Sequence, residues 1–219
     1  MTIPTNTPQT LARWLWMAAL LFLQVPMVHA AEEFLEFEIG GQARRVLLFV
    51  PDAPATGPRT LMVVFHGRGD DDRAFANAVR LHKDWPDAIV AYPRGEIREA
   101  TKMRGWQYRV GDQGDRDLAL TDRLLEEMGR RFGTQPDRTH VAGFSNGGHF
   151  VLLLLAQRPD AFATFTVIGS VQPEFQSDAP PRPVLYLSGR GEDRQYKDDW
   201  AGTVEALVRH NRTSGPLRK

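Results

Sequence analysis

The feature of this 219-residue chain that most restricts its fold is the stretch 139–156. Thr139, His140, Val141 and Ala142 make a short strand-like run. Gly143-Phe144-Ser145-Asn146-Gly147-Gly148 then forms a sharp glycine-rich turn, and the strongly apolar residues 150–156 fit a buried helix. G-x-S-x-G is weakly specific by itself, because glycine and serine are common. Between an apolar strand and an apolar helix it has a physical meaning. The turn forces the serine backbone into a strained conformation, and the flanking glycines relieve the crowding. The hydroxyl then projects above the sheet at a helix N-terminus, where backbone N–H groups can hold a developing oxyanion. The bland alternative is an ordinary strand–loop–helix connection with a bystander serine.

The rest of the chain supplies a sheet for that strand. Residues 34–39 alternate apolar and polar, Gly40-Gly41 follows, and residues 45–50 run apolar to Pro51, which together predict a β-hairpin. The proline-rich segment 51–58 reads as a loop. Continuous apolar runs at 61–65 and 88–92 suit strands buried on both faces of a parallel sheet, and 162–168 and 184–187 read as two further strands. Helices are expected at 72–83, at 117–131 with Gly133 as its stop, and at 198–210. Residues 95–114 are polar and glycine-containing, so a long loop is expected there, with Trp106 and Tyr108 in the core or lining a cleft. Strands alternating with helices give an α/β class: a mostly parallel sheet with helices on both faces.

Composition narrows the chemistry. There is no cysteine, which removes a thiolate nucleophile, a cysteine-ligated zinc and a disulfide scaffold. Lys plus Arg and Asp plus Glu are 27 each, so the total charge points to neither nucleic acid nor an acidic membrane. Mixed runs such as 112–117 read as solvated faces. At the N-terminus Arg13 precedes an apolar stretch, 14–28, and then Val28-His29-Ala30. That is the order of a signal peptide with a small-x-small cleavage site, and the stretch is short for a membrane span of about 20 residues. Residues 1–30 are therefore expected to be a cleaved leader and 31–219 the mature domain, secreted or periplasmic, with no stable membrane insertion afterwards.

Two further elements accompany Ser145. His66-Gly67-Arg68-Gly69 follows the 61–65 strand, where such folds place an oxyanion loop. The donors would be the backbone amides of Arg68 and Asn146, with His66 itself structural. Glu192 and Asp193 follow the 184–187 strand, the place for a carboxylate that orients a histidine. Spacing favours Glu192 over Asp193, and a charged loop without a catalytic role is the alternative.

At these residues the chain resembles the poly(3-hydroxybutyrate) depolymerase and feruloyl esterase group of secreted α/β-hydrolases. The shared features are the hairpin ending in Val50-Pro51, His66-Gly67, Tyr92-Pro93 and Gly105-Trp106-Gln107-Tyr108. The most specific is the run 137–148, and the likeness covers nearly all of the mature chain. It departs at Ser188-Gly189 and Glu192, where the group has His-Gly and an aspartate. The resemblance implies the α/β-hydrolase fold and hydrolysis of small or polymeric carboxylic esters, of polyester or plant cell-wall feruloyl type. It also implies an acyl-enzyme and no metal or organic cofactor.

The histidine such chemistry needs is not evident. In α/β-hydrolases the triad runs Ser, acid, His along the chain, and only His210 lies beyond the acid candidates, inside the last helix. His149 is close to Ser145 but sits at the start of a helix, and His82 and His140 suit structural roles. The chain is therefore expected either to be a truncated form of a longer enzyme, which its polar tail favours, or to have lost full triad chemistry. Besides an esterase, a hydrolase-fold protein that binds an ester or sugar without cleaving it fits the residues, and so does a serine peptidase of the same fold.

Overall fold

The computed structural model describes residues 30–52, 54, 56–189 and 197–212. A hairpin opens the fold: β1 (Ala30–Ile39) pairs antiparallel with β2 (Gln42–Pro51), with Ile39 facing Gln42. Gly40 and Gly41 sit at φ 59° and 78°, the pair of positive angles that a tight two-residue turn matched to strand twist requires. Then come β3 (Leu61–Phe65), α1 (Asp72–Val79), α2 (Leu81–Asp84) and β4 (Ile89–Pro93). A small antiparallel pair follows, β5 (Glu96–Arg98) with β6 (Met103–Gly105). The order continues with α3 (Arg116–Phe132), β7 (Thr139–Phe144), α4 (Asn146–Gln157), β8 (Thr164–Ile168), β9 (Val184–Leu187) and α5 (Lys197–Asn211).

The seven long strands form one sheet in the order β1–β2–β4–β3–β7–β8–β9. From β4 to β9 every pairing is parallel; only the hairpin side is antiparallel. Alternation along the strands sends Val46, Leu48, Leu61, Val63 and Phe65 to one face, under the apolar sides of α3 and α4. Leu47, Phe49, Val64, Val90 and Tyr92 go to the other, against Phe75, Ala76 and Leu81 of α1 and α2. The mostly parallel sheet with helices on both faces is thus present, and with it the α/β-hydrolase architecture.

Three local expectations are corrected. The helix expected over 72–83 is broken at Arg80, whose left-handed backbone (φ 52°) ends α1 and begins α2. The stretch 95–114 is not one loop, because β5 and β6 fold back on each other within it. The 112–117 run is not a solvated face. The Asp112 carboxylate accepts from the amides of Tyr108 and Arg109, that of Asp115 from Gly111, and Asp117 is fully buried.

Asp117 is the centre of a buried polar network. One carboxylate oxygen receives the equally buried Arg44 guanidinium from β2 at 2.8 Å, and the other receives the Gln107 amide at 2.8 Å. The Gln107 side-chain carbonyl in turn accepts from the first-turn amides of Asp117 and Leu118 at 3.2 and 3.3 Å, capping α3. Three histidines are also tied into the interior. His66 is almost fully buried, His82 stacks on Phe49 at 3.7 Å between ring centres, and His140 lies 2.8 Å from the Thr164 hydroxyl. Burial holds the pKa of each below the ordinary histidine value.

Two outcomes follow. Asp117→Asn leaves the Arg44 charge uncompensated in the interior, and urea unfolding should show a loss of about 3–5 kcal/mol. A loss below about 1 kcal/mol would show that the pair is dispensable. For the histidines, the unfolded chain takes up protons near pH 6.5 and the folded chain only at lower pH. Stability is therefore full above about pH 6.5 and falls as the pH drops below it, by at most about 1.4 kcal/mol per pH unit for each imidazole. Urea midpoints at pH 7.5 and 5.5 measure the drop. It should shrink in His82→Gln, and an unchanged drop would remove His82 from this account.

Candidate active site

β7 and α4 are joined through a single residue, Ser145, at φ 51° and ψ −118°. A positive φ in a residue with a side chain costs on the order of 1–3 kcal/mol and persists only where the surroundings enforce it. Here they do. The Ser145 amide donates to the Ile168 carbonyl of β8 at 2.8 Å, and its carbonyl accepts from the His149 amide at 3.1 Å and from the Ser170 hydroxyl. Close backbone contact explains the two motif glycines. A Cβ on Gly143 would overlap the Gly147 carbonyl, and one on Gly147 would overlap the carbonyl oxygens of Phe65 and His66. The first turn of α4 is therefore pressed onto the ends of β7 and β3, and the serine side chain is left half-exposed above them.

The loop after β3 abuts this turn. A Cβ on Gly67 would lie 3.6 Å from that of Ser145 and 3.2 Å from the Phe144 ring. Gly69 (φ 85°) anchors the loop by donating to the Arg104 carbonyl of β6 at 2.9 Å. Neither the Arg68 amide nor the Asn146 amide has a hydrogen-bond partner among the described residues. Asn146 is the first residue of α4, where helix N–H groups are unsatisfied and the helix dipole is positive. The loop after β3 thus meets Ser145 at Gly67, the residue before Arg68, while Asn146 follows Ser145 directly at the head of α4.

The Asn146 side chain, nearly fully buried, has a separate task. Its carbonyl oxygen accepts from the Trp106 amide at 2.7 Å and its amino group donates to the Trp106 carbonyl at 3.2 Å. Trp106 passes the link on, its indole N–H donating to the His66 carbonyl at 2.8 Å. Trp106 is fully buried, so of its two expected places it takes the core one. His66 is structural. Its Nε2 accepts from the Gly95 amide at 2.9 Å, so the ring proton lies on Nδ1, which faces the Gly67 carbonyl at 2.7 Å. Burial keeps this imidazole neutral.

The remaining described histidines are also engaged elsewhere. His149, half-buried on α4, has Nδ1 3.2 Å from the Ser145 carbonyl oxygen and Nε2 2.9 Å from that of Val171. His82 faces the Tyr92 hydroxyl at 3.3 Å, His140 faces Thr164, and His210 lies edge-on to Phe175. Among the described residues, no histidine hydrogen-bonds to the Ser145 hydroxyl. Glu192 and Asp193 lie outside the described residues. The segment leading to them starts at the site, for Ser188 lines a cavity of about 210 Å³ together with Ser145, His149, Ser170, Tyr186 and Trp200. No metal-holding group of His, Asp or Glu is found among the described residues.

Two contributors were invisible in the sequence. Ser170 pins the Ser145 carbonyl, and the Tyr186 hydroxyl of β9 donates to the Ser170 carbonyl. Neither residue belongs to a motif, and only the pairing of β7, β8 and β9 brings them to the serine.

Comparison with known proteins bears on the family and the fold. Residues 39–213 match the Esterase family, described as "Putative esterase". A curated protein from Nocardia uniformis subsp. tsuyamanensis, "Putative esterase NocK", is 26% identical over 171 residues. That alignment covers 75% of this chain and 49% of NocK, so the chain spans about half the length of the curated relative it matches. Among solved structures, S-formylglutathione hydrolase (FrmB) from Staphylococcus aureus superposes with a TM-score of 0.60 at 13% identity, covering 81% of this chain and 88% of that one. A ferulic acid esterase superposes with a TM-score of 0.54 at 11% identity, covering 65% and 60%. At such identities the structural likenesses show the fold alone, whereas the family match extends over most of the chain: this protein belongs to the Esterase family.

Proposed function

We propose that the protein is a serine-dependent carboxylic ester hydrolase with Ser145 as its nucleophile. The observation that carries the reading is the strained Ser145 backbone (φ 51°, ψ −118°) at the head of α4, beside the loop after β3. The Ser145 hydroxyl attacks the ester carbonyl, and the amides of Arg68 and Asn146 receive the oxyanion. Collapse expels the alcohol and leaves an acyl-serine, which water hydrolyses. The serine proton goes to an imidazole oriented by Glu192 and returns to the leaving alcohol. Membership of the Esterase family supports ester substrates. The likeness to a ferulic acid esterase fits the polyester or feruloyl-type esters expected from the sequence. The order of charge, apolar stretch and small residues in 1–30 supports export.

A second reading is favoured by one observation, that no described histidine reaches the Ser145 hydroxyl. Without its base a serine hydroxyl stays protonated and is a poor nucleophile. Catalysis then falls to what the oxyanion hole and binding supply, on the order of 10³–10⁴ over water. In that case the protein binds esters and turns them over weakly or not at all.

A fluorophosphonate reporter separates the readings. The wild-type chain should label, and Ser145→Ala should label at least about 100-fold more slowly. Equal labelling of the two would remove Ser145 as the nucleophile. Absent labelling in both, with an ester still bound, would establish the second reading.

A further inference from the structure

Two guanidinium groups converge on one tyrosine beside His149, a residue of the Ser145 cavity. Arg68, next in the chain to the Gly67 that abuts Ser145, extends an exposed side chain that donates to the Tyr108 hydroxyl at 2.7 Å. Arg98, from β5, lies over the Tyr108 ring at 4.5 Å. The Arg98 Nε is buried and has no hydrogen-bond partner among the described residues. The ring of Tyr108 meets that of His149 edge-on at 5.2 Å, and His149 lines the Ser145 cavity. Two positive charges are therefore held within one tyrosine and one histidine of the serine.

Neither arginine forms an ion pair among the described residues, although carboxylates are near in sequence. Each of those is committed to another partner. Asp70 accepts from the Asp71 amide, and Asp112 from the amides of Tyr108 and Arg109. Asp115 takes Gln107 and Gly111, Glu99 pairs with Lys102, and Glu96 is shared by Arg44 and Arg104. Uncompensated guanidinium groups fixed by stacking and hydrogen bonding are pre-organised for a planar anion, because the fork of N–H donors matches a carboxylate.

We propose that Arg68 and Arg98 select esters that carry a free carboxylate a few bonds from the scissile carbonyl, as in monoesters of short dicarboxylic acids. The inference rests on the assignment of Ser145 as the reacting residue, which fixes where the scissile carbonyl lies. Both arginines act as specificity-determining residues: they hold the distal carboxylate and take no part in bond making or breaking.

The test is a ligand-observed NMR titration of the full chain carrying Ser145→Ala, with monoethyl glutarate and its neutral counterpart diethyl glutarate. At low salt the monoester should bind about tenfold more tightly, as a charge-assisted hydrogen bond implies. The preference should shrink in about 0.5 M NaCl. It should fall to about twofold or less in Arg68→Gln and in Arg98→Gln, with Arg98→Lys intermediate. Arg68 is exposed, so its replacement does not threaten folding. Equal affinity for the two ligands, no binding of either, or a preference untouched by both glutamine substitutions would each overturn the proposal. Wild-type protein that hydrolyses neither ester while the preference persists would instead sink the esterase reading and leave the recognition intact.

Discussion

The contact on which this structure turns is the seating of α4 against the ends of two parallel strands. Gly147 rests on the Phe65 and His66 carbonyls and Gly143 on the Gly147 carbonyl, at separations that admit no side chain. With the helix pressed that close, the residue between β7 and α4 has no room for an ordinary strand-to-helix bend and takes φ 51°. The same approach sets Gly67 against Ser145 and leaves the Asn146 amide at a helix start with no partner among the described residues. One packing constraint thus produces the raised hydroxyl, the adjoining loop and a vacant donor together.

A polar clamp keeps the arrangement in register. Asn146 holds both backbone groups of Trp106, and Trp106 holds the His66 carbonyl, so three stretches distant in sequence meet in the interior. Further down the same loop, Gln107 joins Asp117 and through it Arg44 of the hairpin. Buried polar groups that are satisfied in this way specify one geometry, because each alternative would leave a donor or acceptor without a partner. The loop between β6 and α3 thereby links the site to the second strand of the hairpin.

Much of this was legible in the residues. Strands 61–65 and 184–187 fall where the apolar runs place them, and the hairpin and α3 differ by a few residues at their ends. Gly143, Ser145 and Gly147 announced the turn because its steric demands are local. What escaped was non-local. Asp117 looks like one more charge in a polar run until Arg44, 73 positions earlier, arrives beside it in the interior. The break at Arg80 leaves no mark because arginine is a good helix former and only tertiary context turns its φ positive. Ser170 and Tyr186 carry no motif, since their importance is created by strand order.

That strand order has a mechanical consequence for Ser145. Its carbonyl is pinned by Ser170, and Ser170 is held by Tyr186 on β9, the last strand in the order of the described sheet. The seat of the Ser145 hydroxyl is thus moored two strands away from its own, so that whatever loosens β9 slackens the turn even while β3, β4 and β7 stay intact.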